Sequence, residues 1–321
     1  MQPPFQLTAR IVTLLTRLER QLGRVDILGT GGAVSLELRR ENRIRTIQST
    51  TSIEGNTLPV SAVTALLAGK RVVGSKREIA EVLNAQAAYE LVPKLRPHRT
   101  ADLLRAHETL MRGLVDDAGC FRKGGVGVVA GARVVHMAPP AKRVPALIED
   151  LLRWVQNDKQ TVPLVKACVA HYELEFIHPF SDGNGRIGRL WQHLLLCTYD
   201  SVFAHVPAES LVKQHQQAYY DALAHSNKDG ECSAFIEYVL THLDTALEEL
   251  IGSTAPSRLD APSRLKTARA HFGLREFSRK DYRSLHTTVS DATASRDLRL
   301  GVAERMLRVR GTKAMARYKF A

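Results

Sequence analysis

The chain has 321 residues, of which 44% are hydrophobic and 6% aromatic, and its formal net charge is +12. This length allows two domains, and the low aromatic content argues against an all-β protein. The sequence has no apolar run near the roughly 20 residues that span a bilayer, no signal peptide at its start and no C-x-x-C pair among its four cysteines. We therefore expect a soluble, cytoplasmic protein.

Apolar residues recur at helical spacing along most of the chain. The pattern predicts helices at Leu7–Leu22, Ser35–Ile53, Val60–Leu67, Lys76–Leu91, Thr100–Leu114, Val144–Asn157, Leu164–Phe176, Gly185–Cys197, Glu209–Ala224 and Ser233–Ile251. The exception is 126–137, where two valine-rich arms flank a glycine-containing turn and predict a β-hairpin. The composition of 252–257 is typical of a linker.

These patterns predict four regions along the chain. We expect an N-terminal helical region over 1–95, a helical core over 96–251, a linker over 252–257 and a basic domain over 258–321. Most of the charge lies at the C-terminal end, because residues 253–321 hold 4 Lys and 12 Arg against 6 acidic residues. A basic region of this kind suggests an acidic partner such as nucleic acid or a nucleotide.

The most informative segment is 178–189, with the sequence HPFSDGNGRIGR. One helix is expected to end before it and another to begin inside it, with Asp182 or Asn184 as the N-terminal cap. Gly183 and Gly185 allow a tight turn and a close approach of the backbone to a ligand. The free N–H groups and the positive dipole end of the second helix would then form an anion site.

The charges of this segment point to the same kind of ligand. Arg186 and Arg189 share one face near the positive end of the helix, where a cation costs about 0.3–1 kcal/mol. An anion with more than one phosphate would compensate for both. Asp182 is close enough to hold a divalent cation that bridges such phosphates, and His178 could act as a base near neutral pH.

Other assignments of the segment fit less well. Gly183-x-Gly185-x-x-Gly188 matches the dinucleotide fingerprint, but a helix rather than a strand precedes it. A P-loop requires Gly-Lys-Ser/Thr, and a zinc deaminase requires a cysteine pair, and the sequence provides neither of them here. A purely structural turn would account for any single residue, but less readily for the whole segment.

The segment matches H-P-F-x-D-G-N-G-R-x-x-R at every constrained position, and the chain thereby resembles Fic domains over about residues 35–250. The resemblance implies a mainly α fold, a Fic helical core with a β-hairpin. It also implies a protein adenylyltransferase, which transfers AMP from ATP to a Ser, Thr or Tyr hydroxyl of a protein target and releases pyrophosphate.

The resemblance further implies a role for each matched residue. His178 would be the general base, and Asp182 would bind Mg²⁺. The hairpin over 126–137, called the flap below, would align the target by strand addition. The ATP phosphates would be held by Gly183, Asn184, Gly185, Arg186 and Arg189, with Arg189 at the γ-phosphate.

A second motif lies upstream. The stretch TTSIEGN over 50–56 resembles the inhibitory motif S/T-x-x-x-E-G/N of Fic proteins whose inhibitory helix is N-terminal in the same chain. Glu54 falls in the last turn of its helix, where an anion meets the negative dipole end. Pairing of Glu54 with Arg189 would compensate for both misplaced charges and block the γ-phosphate. The resemblance leaves open the reverse reaction, in which Glu54 positions water to remove AMP.

The basic region resembles a small winged helix-turn-helix domain, a common appendage of Fic proteins. Ser278 opens a short helix through a capping box, and Ser290 caps a second helix. Gly301 and Arg305 depart from the usual pattern and predict that this second helix ends early.

Such a domain would bind DNA through 278–319, with Arg296 and Arg299 on the recognition helix and Lys313 and Arg317 on the wing. An interaction or regulatory domain with a solvated basic face explains the same charges equally well. The rival function for the whole chain is therefore a nucleotide-sensing, DNA-binding regulator without turnover. The sequence also leaves a homodimer open.

Overall fold

A computed structural model describes residues 3–29, 35–130, 133–254, 260–286, 289–311 and 315–321. The chain divides into two compact units, Met1–Thr254 and Ala255–Ala321, and each has its own hydrophobic core. Both units are built mainly from helices, so the prediction of a mainly α fold is confirmed. No helix in the described ranges is both long enough and apolar enough to cross a membrane.

Helices form most of the first unit. They are α1 Ala9–Gly29, α2 Leu36–Ile53, α3 Val60–Leu67, α4 Lys76–Leu91, α5 Thr100–Met111, α6 Val144–Asn157, α7 Pro163–Ile177, α8 Asn184–Tyr199, α9 Ala208–Gln214, α10 Gln216–Asp229 and α11 Ser233–Thr254. Their starts follow local sequence signals. Ser35 and Ser75 cap α2 and α4 through their side chains, and α6 and α7 have proline in the first turn.

The core of the first unit is centred on α7 and α8, which pack against each other. Helix α7 is buried on most of its faces, as expected for a central helix whose apolar residues are not confined to one stripe. Trp191 of α8 and Phe180, in the connection between the two helices, are among the largest fully buried side chains. The connection over 178–183 is therefore held at both ends by core helices.

The prediction of one continuous helix over Glu209–Ala224 is wrong. Helices α9 and α10 are separated at His215, whose backbone is not helical (φ −115°, ψ 37°). The His215 imidazole packs against His242 at 5.1 Å between ring centroids, and its carbonyl accepts a hydrogen bond from Tyr238 Oη at 3.4 Å. These contacts with α11 accompany the break, although the sequence has no glycine or proline there.

Helix α11 also differs from its prediction, because it continues into the segment 252–257 that was expected to be a linker. The helix runs through Gly252 to Thr254. Ile251 is buried, and Ser253 Oγ donates to the Glu249 carbonyl at 2.8 Å, so the last turn is both packed and hydrogen-bonded. Residues 255–259 lie outside the described ranges.

The predicted hairpin is present as strands β1 Gly127–Ala130 and β2 Arg133–Met137, and residues 131–132 between them lie outside the described ranges. The strands are antiparallel, with Gly127 opposite Met137. The register shifts between Val128 and Val129, which adds a local irregularity to the flap.

The second unit combines three helices with a three-stranded antiparallel sheet of order β3-β5-β4. Its elements are α12 Ala261–Phe272, β3 Phe277–Ser278, α13 Arg279–Leu285, α14 Asp291–Ala303, β4 Leu307–Arg310 and β5 Arg317–Phe320. The predicted capping box is observed, since Ser278 and Asp281 each bind the other's backbone N–H. Ser290 caps α14 as expected. Helix α12 and strand β3 lie where no element is predicted.

The prediction that α14 ends early is wrong, because the helix continues through Gly301 to Ala303. A Cβ atom at Gly301 would lie 2.8 Å from Leu307 Cδ1, so glycine here lets strand β4 pack closely on the helix. Arg305 adopts the left-handed backbone conformation (φ 59°), at a cost of roughly 1–3 kcal/mol. The turn into β4 is thus made without the glycine that usually occupies such a position.

Candidate active site

Two residues with a left-handed backbone conformation shape the connection between α7 and α8. His178 follows the last residue of α7 with φ 50° and ψ 61°, and Gly183 precedes α8 with φ 84°. For histidine this conformation costs roughly 1–3 kcal/mol, so the surrounding structure must hold it. A Cβ atom at Gly183 would lie 2.6 Å from Met111 Sδ, so a side chain there would displace Met111 in addition to straining the backbone.

Buried side chains brace this connection from below. Phe180 is fully buried and stacks on His107, with ring centroids 3.6 Å apart. The His107 ring nitrogens contact the Asp182 carbonyl at 2.9 Å and the Gly119 N–H at 3.0 Å. The Asn184 side chain both accepts from Phe180 N and donates to Phe180 O, each at 2.9 Å. The amide of Asn184 therefore holds the connection itself.

The prediction that Asp182 or Asn184 is the N-terminal cap of α8 is wrong. Gly183 occupies that position, and no side chain in the described ranges caps the helix start. Asp182 Oδ1 instead accepts from Gly183 N at 2.6 Å. The first N–H groups of α8 are thus available to an anion. A Cβ atom at Gly185 would lie 2.7 Å from Glu54 Oε1, so glycine lets Glu54 reach the helix start.

Arg186 is buried at this helix start, with 4% of its surface exposed. Its Nη2 lies 3.3 Å from Asp182 Oδ1, and its Nη1 lies 3.6 Å from Glu81 Oε1. Its buried Nε and Nη1 atoms have no hydrogen-bond partner in the described part of the chain. Because an unpaired donor on a buried cation is costly, this geometry calls for an anionic ligand.

The structure brings Arg189 and Glu54 together. Arg189 Nη2 donates to Glu54 Oε1 at 2.7 Å, and Arg189 also bonds the hydroxyl and the carbonyl of Thr50 at 3.1 and 3.2 Å. Burial by itself lowers the pKa of Arg189, but the neighbouring charge of Glu54 outweighs it and raises the pKa. Glu54 is the residue immediately after α2, and its side chain is 27% exposed.

Asp182 is the single carboxylate of the segment that could hold a metal ion. Its side chain is 44% exposed, and Oδ2 lies 3.5 Å from Arg77 Nη2. The described residues contain no group of three or more His, Cys, Asp or Glu side chains arranged around a metal. Mg²⁺ is commonly held by one or two carboxylates together with substrate phosphates and water, so Asp182 fits Mg²⁺ that binds with a nucleotide.

The His178 imidazole is oriented by the last turn of α7. Its Nδ1 lies 3.2 Å from the Glu175 carbonyl, which can only accept, so Nδ1 is the donor in this contact and Nε2 is the nitrogen left to exchange a proton with a ligand. Burial raises the pKa of the Glu175 carboxyl, but the His171 imidazole, with Nε2 3.7 Å away, and the positive charge of Arg189 outweigh burial, so the pKa is lowered overall. Glu175 thus favours its charged form behind the site.

Two side chains that hold the segment lie where the sequence predicts no functional residue. His107 supports Phe180 and lies on the buried face of α5 with Leu103 and Leu110, so its spacing on an apolar face is a usable signal. Arg122 precedes the flap, and burial lowers the pKa of its guanidinium. Arg122 bonds to backbone carbonyls, which leave no mark in the sequence.

Comparisons with known proteins identify what this arrangement is similar to. Residues 97–196 match the family model described as the Fic/DOC family. The crystal structure of a Fic family protein from Desulfovibrio desulfuricans G20 is 39% identical, and the match covers 100% of this chain and 98% of that chain with a TM-score of 0.77. A fragment of Fic-1 from C. elegans, at 24% identity and a TM-score of 0.62, covers 77% of this chain and 74% of that chain and shares the fold.

Curated relatives give a similar result. Protein adenylyltransferase Fic of Aedes aegypti is 30% identical over 267 residues, which is 78% of this chain and 51% of that protein. Protein adenylyltransferase fic-1 of Caenorhabditis elegans is 29% identical over 231 residues, 68% of this chain and 43% of that protein. The chain therefore spans about half the length of the curated relatives it matches.

Proposed function

This chain belongs to the Fic family, and on that premise we propose that it is a protein adenylyltransferase that moves AMP from ATP to a hydroxyl group of a protein. The observation that carries the proposal is the buried guanidinium of Arg186 at the uncapped start of α8, because two of its nitrogens donate no hydrogen bond to any described residue. A phosphate group would satisfy the guanidinium and the helix N-terminus together. Relatives that match more than two thirds of this chain carry the name protein adenylyltransferase.

In the proposed reaction, His178 Nε2 takes the proton of the target hydroxyl. The hydroxyl oxygen forms a bond to the α-phosphorus, the bond from that phosphorus to the β-bridging oxygen breaks, and pyrophosphate leaves. The backbone N–H groups of Asn184 and Gly185 and the side chains of Arg186 and Arg189 hold the phosphates and stabilise the leaving charge. Mg²⁺ bound by Asp182 would supply further neutralisation of the phosphates.

The proposed acceptor is a Ser, Thr or Tyr hydroxyl on a protein segment that pairs with the flap. The flap is a two-stranded sheet, so in the described ranges β1 and β2 pair only with each other and each keeps an edge to which an extended segment could add. Backbone pairing of this kind would align a target with little dependence on its side chains.

Glu54 is the proposed brake on the reaction. It occupies Arg189 at 2.7 Å, and Arg189 is the residue proposed to pair with the γ-phosphate. A nucleotide bound for catalysis would have to displace this carboxylate, so the resting enzyme is expected to be weak. The same carboxylate could position water for removal of AMP. Release of AMP from a target that already carries it therefore measures the reverse reaction.

Labelled ATP and Mg²⁺, incubated with purified wild type, Glu54→Gly and Glu54→Gly/His178→Ala, test the proposal. Because a charge-assisted hydrogen bond contributes about 1.5–3 kcal/mol, Glu54→Gly is expected to raise labelling on the order of 10- to 100-fold. Loss of the base is expected to lower labelling of the double variant about 10²–10⁴-fold. Equal labelling of the single and double variants, both shown to be folded, would remove His178 as the base.

A second candidate function, DNA binding by the second unit, is favoured by its exposed arginines. Arg296 and Arg299 are exposed on α14, and Arg308, Arg310 and Lys319 are exposed on β4 and β5. Helices α13 and α14 with the three-stranded sheet support the winged helix-turn-helix interpretation. Lys313 lies outside the described ranges.

Duplex-DNA binding, followed by fluorescence anisotropy at several salt concentrations, tests this second function. Affinity should fall as salt rises, and Arg296→Ala/Arg299→Ala should reduce the magnitude of the salt slope by about 2. The matched control is Lys266→Ala/Arg269→Ala, which removes two exposed cations from α12. Equal losses of DNA affinity in both double variants would indicate that binding depends only on total charge. If the chain is a regulator without turnover, His178→Ala should leave its function unchanged.

A further inference from the structure

Arg122 is buried, with 4% of its surface exposed, and its hydrogen bonds all go to backbone carbonyls. On one side it contacts the connection that carries His178. Its Nε donates to His178 O at 2.7 Å, its Nη2 to Ile177 O at 3.3 Å, and its backbone N–H to Pro179 O at 2.9 Å. A single residue thus binds three successive carbonyls around His178.

The same guanidinium holds both ends of the flap. Its Nη1 donates to Gly124 O at 2.8 Å, before β1, and its Nη2 donates to Pro139 O at 2.5 Å, after β2. No carboxylate in the described ranges pairs with Arg122. The charge of Arg122 is therefore solvated by carbonyls from two separate segments, and the guanidinium joins them.

We propose that Arg122 is a positioning residue that sets the place of the flap relative to the base His178. The inference rests on the proposed function, in which the flap delivers the hydroxyl that His178 deprotonates. His178 has a left-handed backbone that needs external support, and the bonds of Arg122 to its own and both neighbouring carbonyls give that support. Only the planar fork of an arginine donates in these directions at once, so lysine is not an equivalent replacement.

The test compares the full chain with Arg122→Lys in a Glu54→Gly background, with Arg264→Lys as the control. The control shortens an arginine of the second unit whose side chain is 12% exposed and paired with Asp297. Hydrogen exchange is followed in peptides covering 124–139 and 177–182, together with MgATP affinity and the rate of self-labelling with AMP. Arg122→Lys is expected to accelerate exchange at least about 10-fold in both peptides and to lower the labelling rate about 10- to 100-fold. MgATP affinity should fall much less than the labelling rate, because no side-chain hydrogen bond of Arg122 reaches Asp182, Arg186 or Arg189.

The proposal would be overturned if exchange did not become faster in both peptides. A loss of MgATP affinity as large as the loss of labelling rate would also contradict it. If Arg122→Lys does not fold, the unmodified protein decides the question. Its two peptides should then open as one unit with the same dependence on urea, and different dependences would contradict the link. Absence of labelling in Glu54→Gly with Arg122 intact would count against the proposed function, while the exchange result would still decide the role of Arg122.

Discussion

Arginines with little exposed surface in the two units have opposite surroundings. In the second unit, Arg264 donates from Nε and Nη2 to the two oxygens of Asp297 at 2.6 and 2.7 Å, which forms a bidentate pair. In the first unit, Arg186 lies beside Glu81 and Asp182, but two of its nitrogens donate no hydrogen bond to any described residue. Arg189 is held by Glu54, whose side chain is partly exposed. The carboxylate of Asp297 is fully engaged by Arg264. In the first unit, Arg186 has open donors, and Arg189 has a partner that a ligand can replace.

The difference separates an arginine that stabilises a domain from one that awaits a ligand. Net charge alone points the other way, because residues 253–321 carry +10 of the total +12. The first unit, which is nearly neutral, nevertheless contains Arg186, a buried cation with open donors. Unsatisfied hydrogen bonding at a buried charge is therefore a better guide to the anion site than the number of basic residues.

Removing Arg186 is the largest expected effect. In the Glu54→Gly background, Arg186→Ala should lower AMP transfer from labelled ATP about 10²–10³-fold, because it removes a preorganised donor to the phosphates. Its effect on folding should be smaller than that of breaking a fully hydrogen-bonded pair, since two guanidinium nitrogens donate no hydrogen bond to any described residue. Transfer is measured as label on protein, with circular dichroism as the check of folding.

Arg264→Ala is the matched control for that variant. It leaves Asp297 buried without its partner and should lower the free energy of unfolding of the second unit by about 3–5 kcal/mol, with AMP transfer unchanged. The contrast between the two arginines would disappear if both variants lost transfer equally, or if Arg186→Ala acted only through stability.

The parts of the site that could be predicted are those in which local chemistry and motif coincide. The 178–189 segment combines helix-breaking residues, glycines and misplaced cations, and the contact of Arg189 with Glu54 could be inferred from two charges at unfavourable helix ends. Arg122 could not be predicted, because its partners are backbone carbonyls contributed by distant parts of the chain. Sequence patterns report side-chain periodicity, and such bonds have none.

The errors in the fold have similar causes. The break at His215 accompanies contacts with α11 that local propensity does not contain. Helix α14 passes through Gly301 because the missing side chain makes room for Leu307, so the glycine serves packing rather than termination. In both cases, the difference from the prediction coincides with a tertiary contact that local sequence does not contain.

An intermediate effect is expected from the hydroxyl that helps to hold Arg189 in its resting position. Thr50 Oγ1 accepts from Arg189 Nε at 3.1 Å, so Thr50→Val should weaken the resting arrangement without removing Glu54. Because such a bond contributes about 0.5–1.5 kcal/mol, AMP transfer should rise about 2- to 10-fold, less than in Glu54→Gly. The control is Thr46→Val, one turn earlier on α2 and also buried, which should leave transfer unchanged. A rise in both variants would assign the effect to general loosening of the helix.

The smallest expected effect is on stability at low pH. It extends the comparison of the two units to their capping boxes. Hydrogen bonds from Thr57 and Ser75 lower the pKa of Glu78 from 4.5 to about 2. Because the folded pKa is below the unfolded one, this stabilisation is fully present above about pH 4.5 and is lost as the pH falls toward 2. In the second unit, backbone and side-chain bonds from Ser278 lower the pKa of Asp281, with the same sign.

Glu78→Gln should therefore lose less stability than the wild type when thermal unfolding is compared at neutral pH and at about pH 3, since the amide has no charge to lose. Asp281→Asn should do the same for the second unit, and Glu248→Gln, at an exposed position on α11, serves as the control. Parallel pH profiles of wild type and Glu78→Gln would show that the capping box of α4 contributes nothing measurable to acid sensitivity. A change confined to one unit would show that the two capping boxes differ in strength, just as the arginines of the two units differ in how many of their donors are hydrogen-bonded.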